Sequence, residues 1–109
     1  MTYRVEYMPQ VIAAIERQVA YLREQGASDE RLTAWLTELI DLTDNLYHTP
    51  RRHPTAEPES TDLGIEIRRA VFGDYLIYYH VDDEQQSVCV LHFRHAARQT
   101  GRLSGDIDE

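Results

Sequence analysis

The sequence predicts an α+β domain of order β-α-α-β-β-β, with a helical hairpin packed on one face of a small, mostly antiparallel sheet. Three observations carry that prediction. Residues 2–7 alternate apolar and polar, the period of a half-buried strand. Two long segments then repeat apolar residues at helical spacing. Three β-rich runs joined by short polar links close the chain, as in an antiparallel meander.

The opening strand sets Tyr3, Val5 and Tyr7 on one side and Thr2, Arg4 and Glu6 on the other. Pro9 suits the first turn of a helix, where a missing N–H costs nothing. Val11, Ile12, Ile15, Val19 and Leu22 come next as one helical face, and Gly26 supplies the left-handed residue that ends the helix. Ser28 or Asp29 caps a second helix, whose stripe is Leu32, Trp35, Leu36, Leu39, Ile40 and Leu46. Thr49-Pro50 stops it, because a residue before proline avoids the helical region. The short Gly26–Ser28 link makes the pair antiparallel.

Residues 50–63 carry three prolines and no apolar pattern, and are expected to form a loop. Ile65, Ile67 and Val71 then mark a strand, Gly73-Asp74 a tight turn, and Tyr75–Val81 a strand buried on both faces. Asp82–Gln86 reads as a polar hairpin loop. Ser87–Phe93 is the last strand, with Val88, Val90 and His92 on one face and Cys89, Leu91 and Phe93 on the other. Residues 1–98 are expected to be a single domain, and 99–109 an acidic, frayed tail. One face of the sheet is expected to stay partly open, a natural place for a site.

Composition narrows the function classes. There are 19 acidic against 11 basic residues, a net charge of −8, and every basic residue is Arg. Such a surface repels phosphate, so direct sequence-specific DNA binding by this chain alone is not expected. The single cysteine, Cys89, rules out an intrachain disulfide and an all-cysteine zinc cage. The charged start does not resemble a signal-peptide core, and the longest apolar run, Tyr75–Tyr79, falls far short of the roughly 20 residues of a membrane span. A cytoplasmic protein without membrane contact is expected.

No phosphate loop, zinc-protease helix, paired-cysteine or nucleophile-elbow motif is present. The polar residues set in or beside strands are Arg68, Arg69, His80, His92, Arg94, His95 and Arg98. By strand parity Arg68 shares a face with Glu66, and His92 with Arg94. Two readings stand. Convergent faces would let two arginines and a histidine hold a phosphate and move a proton. Alternatively, Arg68 pairs with Glu66 and His92 fills a cross-strand pair. His48 and His53 flank Arg51-Arg52 without a carboxylate or thiolate at ligand spacing, so no metal is expected there. Asp82-Asp83-Glu84 is better explained as turn chemistry than as a cation site. Cys89 reads as an inert buried thiol and Trp35 as a core residue. No cofactor is expected.

The run Ile67-Arg68-Arg69-Ala70-Val71-Phe72-Gly73-Asp74-Tyr75-Leu76-Ile77-Tyr78-Tyr79-His80-Val81-Asp82-Asp83, with Val88–His92 and His95-Ala96-Ala97-Arg98, resembles the RelE/ParE superfamily of type II toxin–antitoxin toxins. The opening Tyr3–Pro9 and the helical hairpin are similar to it too, so the resemblance spans about Thr2 to Arg98. It implies a cognate antitoxin partner and a role in plasmid stabilisation. Ribosome-dependent, mRNA-cleaving members typically carry an Arg where this chain has Leu76, and a Tyr or a basic cluster beyond the last strand, where this chain has no Tyr. The Gly-x-Tyr-Leu-Ile-x-Tyr form and His-Ala-Ala-Arg resemble the ParE branch, which implies growth inhibition through DNA gyrase and no nuclease centre. Arg68, Tyr75, Tyr79, His95 and Arg98 are the matching signature positions. The alternatives are a RelE-type endoribonuclease acting on ribosome and mRNA through Arg68, His92, Arg94 or His95, and an inactive divergent member. Asp74, where the ParE-type turn often has Arg, and the acidic balance are the departures.

Overall fold

The computed structural model describes residues 4–96. The order is β1 (Arg4–Tyr7), α1 (Pro9–Glu24), α2 (Asp29–His48), α3 (Glu57–Leu63), β2 (Arg68–Phe72), β3 (Tyr75–Asp82) and β4 (Ser87–His95). Tyr3, Arg98 and the expected tail at 99–109 lie outside the described residues. One mixed sheet has the strand order β1-β4-β3-β2. The last three strands pair antiparallel, and β1 lies parallel to β4.

Local chemistry sets the helix ends. Pro9 sits in the first turn of α1 after an extended Met8, and Gly26 comes after the helix with φ +99°, a value that favours glycine. The Ser28 hydroxyl accepts the N–H of Arg31 at 3.2 Å and caps α2, with Asp29 and Glu30 at the positive end of the helix. The buried stripes are narrower than the sequence predicts. Val11 is buried while Ile12 is exposed, and Leu39 is buried while Ile40 is exposed, because a one-residue step turns 100° around the helix axis. Leu32, Leu39 and Leu46 form the buried line of α2, and Thr43 lies between the last two. Its hydroxyl donates to the Ile40 carbonyl at 3.0 Å and accepts from the Tyr7 phenol at 2.6 Å, which ties α2 to β1.

The main core lies between the hairpin and the sheet. Val11, Leu39 and Leu46 pack on Ala70, Tyr75, Ile77, Tyr79, Val81, Val88, Val90 and Phe93. A smaller cluster of Ala56, Ile67 and Tyr78 occupies the opposite face, with Leu63, Leu76 and Leu91 against it.

The structure departs from three sequence expectations. The segment 50–63 is not a structureless connector. It contains α3, with Pro58 in its first turn and Gly64 in the left-handed conformation at its end. The Ser60 hydroxyl donates to the Ala56 carbonyl at 2.7 Å and accepts the Ile67 N–H at 2.8 Å, so α3 is pinned to the chain entering β2. Ala56 and Leu63 pack inward from this stretch, too few positions to make a periodic signal. The strand expected from Ile65 begins at Arg68, since Ile65 and Glu66 are held in the return from α3. The alternation expected along β4 breaks at a β-bulge. Tyr78 faces His92 and Tyr79 faces Val90, so Leu91 is the extra residue. Val88, Val90 and Phe93 consequently share the helix-facing side. His92 turns to the opposite side with its cross-strand neighbour Tyr78.

Candidate functional site

On the face away from the hairpin, the registers align Arg69, Tyr78 and His92 across three strands, with Val71, Leu76 and Arg94 in the next row. The Arg94 guanidinium donates to the Tyr78 phenol at 3.0 Å and lies 5.7 Å from that ring's centroid. The His92 ring stands 5.9 Å from Tyr78, tilted by 45°. Tyr78 is fully buried, so it presents Arg94 and His92 as a fixed pair. Sequence reasoning does not single out Tyr78, although its phase is a signal. One step from Tyr79 in a strand buried on both sides, it has to point into the second face.

A second cluster lies at the far end of the sheet, on the helix-facing side. Arg68 is opposite Tyr79, four residues along β3 from the Tyr75 position that faces His95, or about 13 Å away. The Arg68 guanidinium donates to the His53 carbonyl at 2.7 Å and to Glu66 at 3.1 Å. The Tyr79 phenol donates to the Pro50 carbonyl at 2.8 Å. Burial pushes its pKa up to about 12, against the opposing pull of Arg68. Burial and the Arg52 charge hold His53 below its ordinary value. Arg51 grips Asp83 through two bonds of 3.1 and 2.8 Å. This cluster therefore straps residues 50–53 across the sheet end, and Arg68 pairs with Glu66, as in the second of the two sequence readings.

The other expected positions divide between core and surface. Tyr75 is buried, stacked on Phe93 at 5.1 Å, with His95 edge-on at 5.2 Å. Trp35 meets Phe72, Tyr75 and Phe93 edge-on at 5.6–6.1 Å. Signature residues Tyr75 and Tyr79 thus serve the core, whereas the half-buried Arg94 and the buried His92 stand on the second side. His92 and Arg94 are brought together; Arg68 lies apart from them on the opposite side, and His95 belongs to the Tyr75 side. The Asp82 carboxylate accepts the N–H groups of Glu84 and Gln85 at 3.0 and 3.1 Å, the turn chemistry expected of it. Cys89 is half-buried on the second face, not in the core, and burial together with the Glu6 charge pushes its thiol up. His48 is exposed at the end of α2. His80 Nδ1 lies 2.8 Å from the Glu66 carbonyl.

A cleft of about 400 Å³ opens between the N-terminal half of α2 and the β2–β3 turn. Leu22, Leu32, Trp35, Phe72 and Tyr75 form its apolar floor. Among the described residues, no helix is long and apolar enough to cross a membrane.

A family model described as the ParE toxin of a type II toxin–antitoxin system, parDE, matches residues 5–100. Two solved structures share the fold. The archaeal RelE–RelB complex from Pyrococcus horikoshii OT3 contains a chain 22% identical, with TM-score 0.60, covering 91% of this chain and 100% of that one. The toxin–antitoxin complex RelBE2 from Mycobacterium tuberculosis contains one 18% identical, with TM-score 0.61, covering 87% and 99%. No curated protein matches significantly.

Proposed function

The chain belongs to the ParE toxin family of type II toxin–antitoxin systems, within the RelE/ParE superfamily, and from that premise we propose that it is a cytoplasmic, growth-inhibiting toxin that binds DNA gyrase without catalysing a reaction. A cognate antitoxin neutralises it. The two structural relatives support that partner, since they come from a RelE–RelB complex and a toxin–antitoxin complex.

The observation that supports a binding role is the separation of its polar groups. Cleavage of RNA at a 2′-hydroxyl needs a base, an acid and a cation around one phosphate. Here Arg68 faces the hairpin side and is committed to backbone carbonyls and Glu66. Arg94 faces the second side and is held by Tyr78. Leu76 stands between Val71 and Arg94, where a further cation would be central. An Arg94 guanidinium held rigid by a buried tyrosine fits recognition of another macromolecule.

Purified protein added to a gyrase supercoiling assay is expected to block supercoiling, and Arg94→Ala to lose that block by at least about tenfold, the loss of one anchor at an interface centre. Growth arrest with normal supercoiling would remove the gyrase reading. The His92–Arg94 pair favours one alternative, ribosome-dependent mRNA cleavage. New codon-linked 5′ ends on translated messages, detected by primer extension, would establish it. Expression without any growth arrest would point instead to an inactive member.

A further inference from the structure

The strap at residues 50–53 draws like charges together beside one histidine. His53 is half-buried, with its ring edge-on to the buried Tyr79 of β3 at 6.2 Å between centroids. The Arg68 guanidinium from β2 donates to the His53 carbonyl at 2.7 Å and, more loosely, to the Arg51 carbonyl at 3.4 Å. Arg51 and Arg52 precede His53 on its own segment. The acidic groups of this cluster are engaged. Asp83, beyond the end of β3, holds Arg51 at 2.8 Å, and Glu66, on the return from α3, holds Arg68 at 3.1 Å. A proton on the His53 ring would add a positive charge beside three arginines, in a site that strips part of its hydration.

We propose that residues 50–53 are a proton-operated latch, closed over Tyr79 while the His53 ring is neutral and released when that ring is protonated, which frees the Arg68 guanidinium from backbone carbonyls and uncovers the Tyr79 phenol. The direction follows from linkage. A solvated imidazole takes up its proton near pH 6.5, and burial first, then the Arg52 charge, holds His53 of the closed form below that value. The proton therefore favours the released form. The latch is intact above about pH 6.5 and is lost progressively as the pH falls below it. The ties that open are local: Arg68 to His53, the Tyr79 phenol to the Pro50 carbonyl at 2.8 Å, and the Arg69 N–H to the Pro54 carbonyl at 3.0 Å. The facing core residues Ile77 and Phe93, further along the sheet, keep their packing. Acidification thus turns a committed arginine into one able to meet an anionic group at this end of the sheet.

Hydrogen exchange on the full chain, with rates corrected for the intrinsic effect of pH, reads the latch residue by residue. Between about pH 7.5 and about pH 5.5 the Arg69 N–H is expected to lose protection by at least about threefold, while the Ile77 N–H keeps its own. His48 ends α2 five residues before His53, so variants assign the proton. His53→Gln is expected to abolish the pH dependence and to keep the Arg69 N–H protected throughout. His53→Lys, a permanent cation, is expected to leave that N–H less protected than in the wild type at the higher pH, with the Ile77 N–H still protected. Protection of Arg69 that does not change with pH in the wild type overturns the inference, as does wild-type protection in His53→Lys. The same fall in His53→Gln also overturns it and assigns the proton to another group. A parallel fall at Ile77 overturns it in favour of loosening of the whole fold.

Discussion

The two faces of the sheet are built on different principles. The hairpin side is a continuous aromatic and aliphatic layer in which Tyr75, Phe93, Phe72 and Trp35 meet at ring distances of 5.1–6.3 Å. The other side is covered by a seven-residue helix over Tyr78 and Ile67, and beside that cover it keeps Arg69, His92 and Arg94. A domain this small cannot bury both faces fully. Stability is concentrated on one side, and the other keeps polar groups beside a smaller apolar cluster.

Adjacent residues of β3 test that division most sharply. Ile77 points into the main core at 1% exposure, while Leu76 is half-buried on the second side. Ile77→Ala is expected to cost about 3–4 kcal/mol in urea denaturation, through lost burial and the cavity left behind. Leu76→Ala is expected to cost about 1 kcal/mol. Equal losses would show that the second face is as much a core as the first.

Tyr79 gives a smaller effect with a pH signature. Tyr79→Phe leaves the Pro50 carbonyl without its donor and is expected to cost about 1–2 kcal/mol. The folded state holds the phenol's proton to about pH 12, whereas the unfolded chain releases it near pH 10. Its contribution is therefore complete below about pH 10 and is lost as pH rises from about 10 towards 12. Denaturation of the wild type at about pH 9 and about pH 11.5 is expected to show that fall, with the fall reduced in Tyr79→Phe. The smallest effect belongs to the exposed Arg51–Asp83 bridge. Asp83→Ala is expected to change stability by less than about 1 kcal/mol, and about 1 M salt to erase the difference. A larger loss would make the 50–53 strap part of the main core.

The hairpin side is legible in the sequence because its signals are repetitive. Leu32, Leu39 and Leu46 recur every two turns, and Ser28, Gly26 and Pro9 mark ends by their own backbone chemistry. The second side is not. α3 rests on Ser60, Ala56 and Leu63, contacts between residues with no common period. The polar pair His92–Arg94 is visible as two residues on one face, but its partner Tyr78 emerges only from the register of β3 against β4. Arg68 can be matched to Glu66 by proximity in sequence, whereas its bonds to the 51–53 backbone depend on how the loop returns.

A pleated ribbon counts in twos, and the supernumerary Leu91 resets the count for everything after it. Pairing Leu91 into the ladder without a bulge would leave upstream pairs such as Val88–Val81 in place, yet would drive His92 and Arg94 towards the hairpin side and turn Phe93 away from it, whereas deleting Leu91 would leave every facing as it is. Which face Phe93 and Arg94 occupy thus hangs on one residue that the ladder skips, and a strand that stopped skipping it would turn over from that point on.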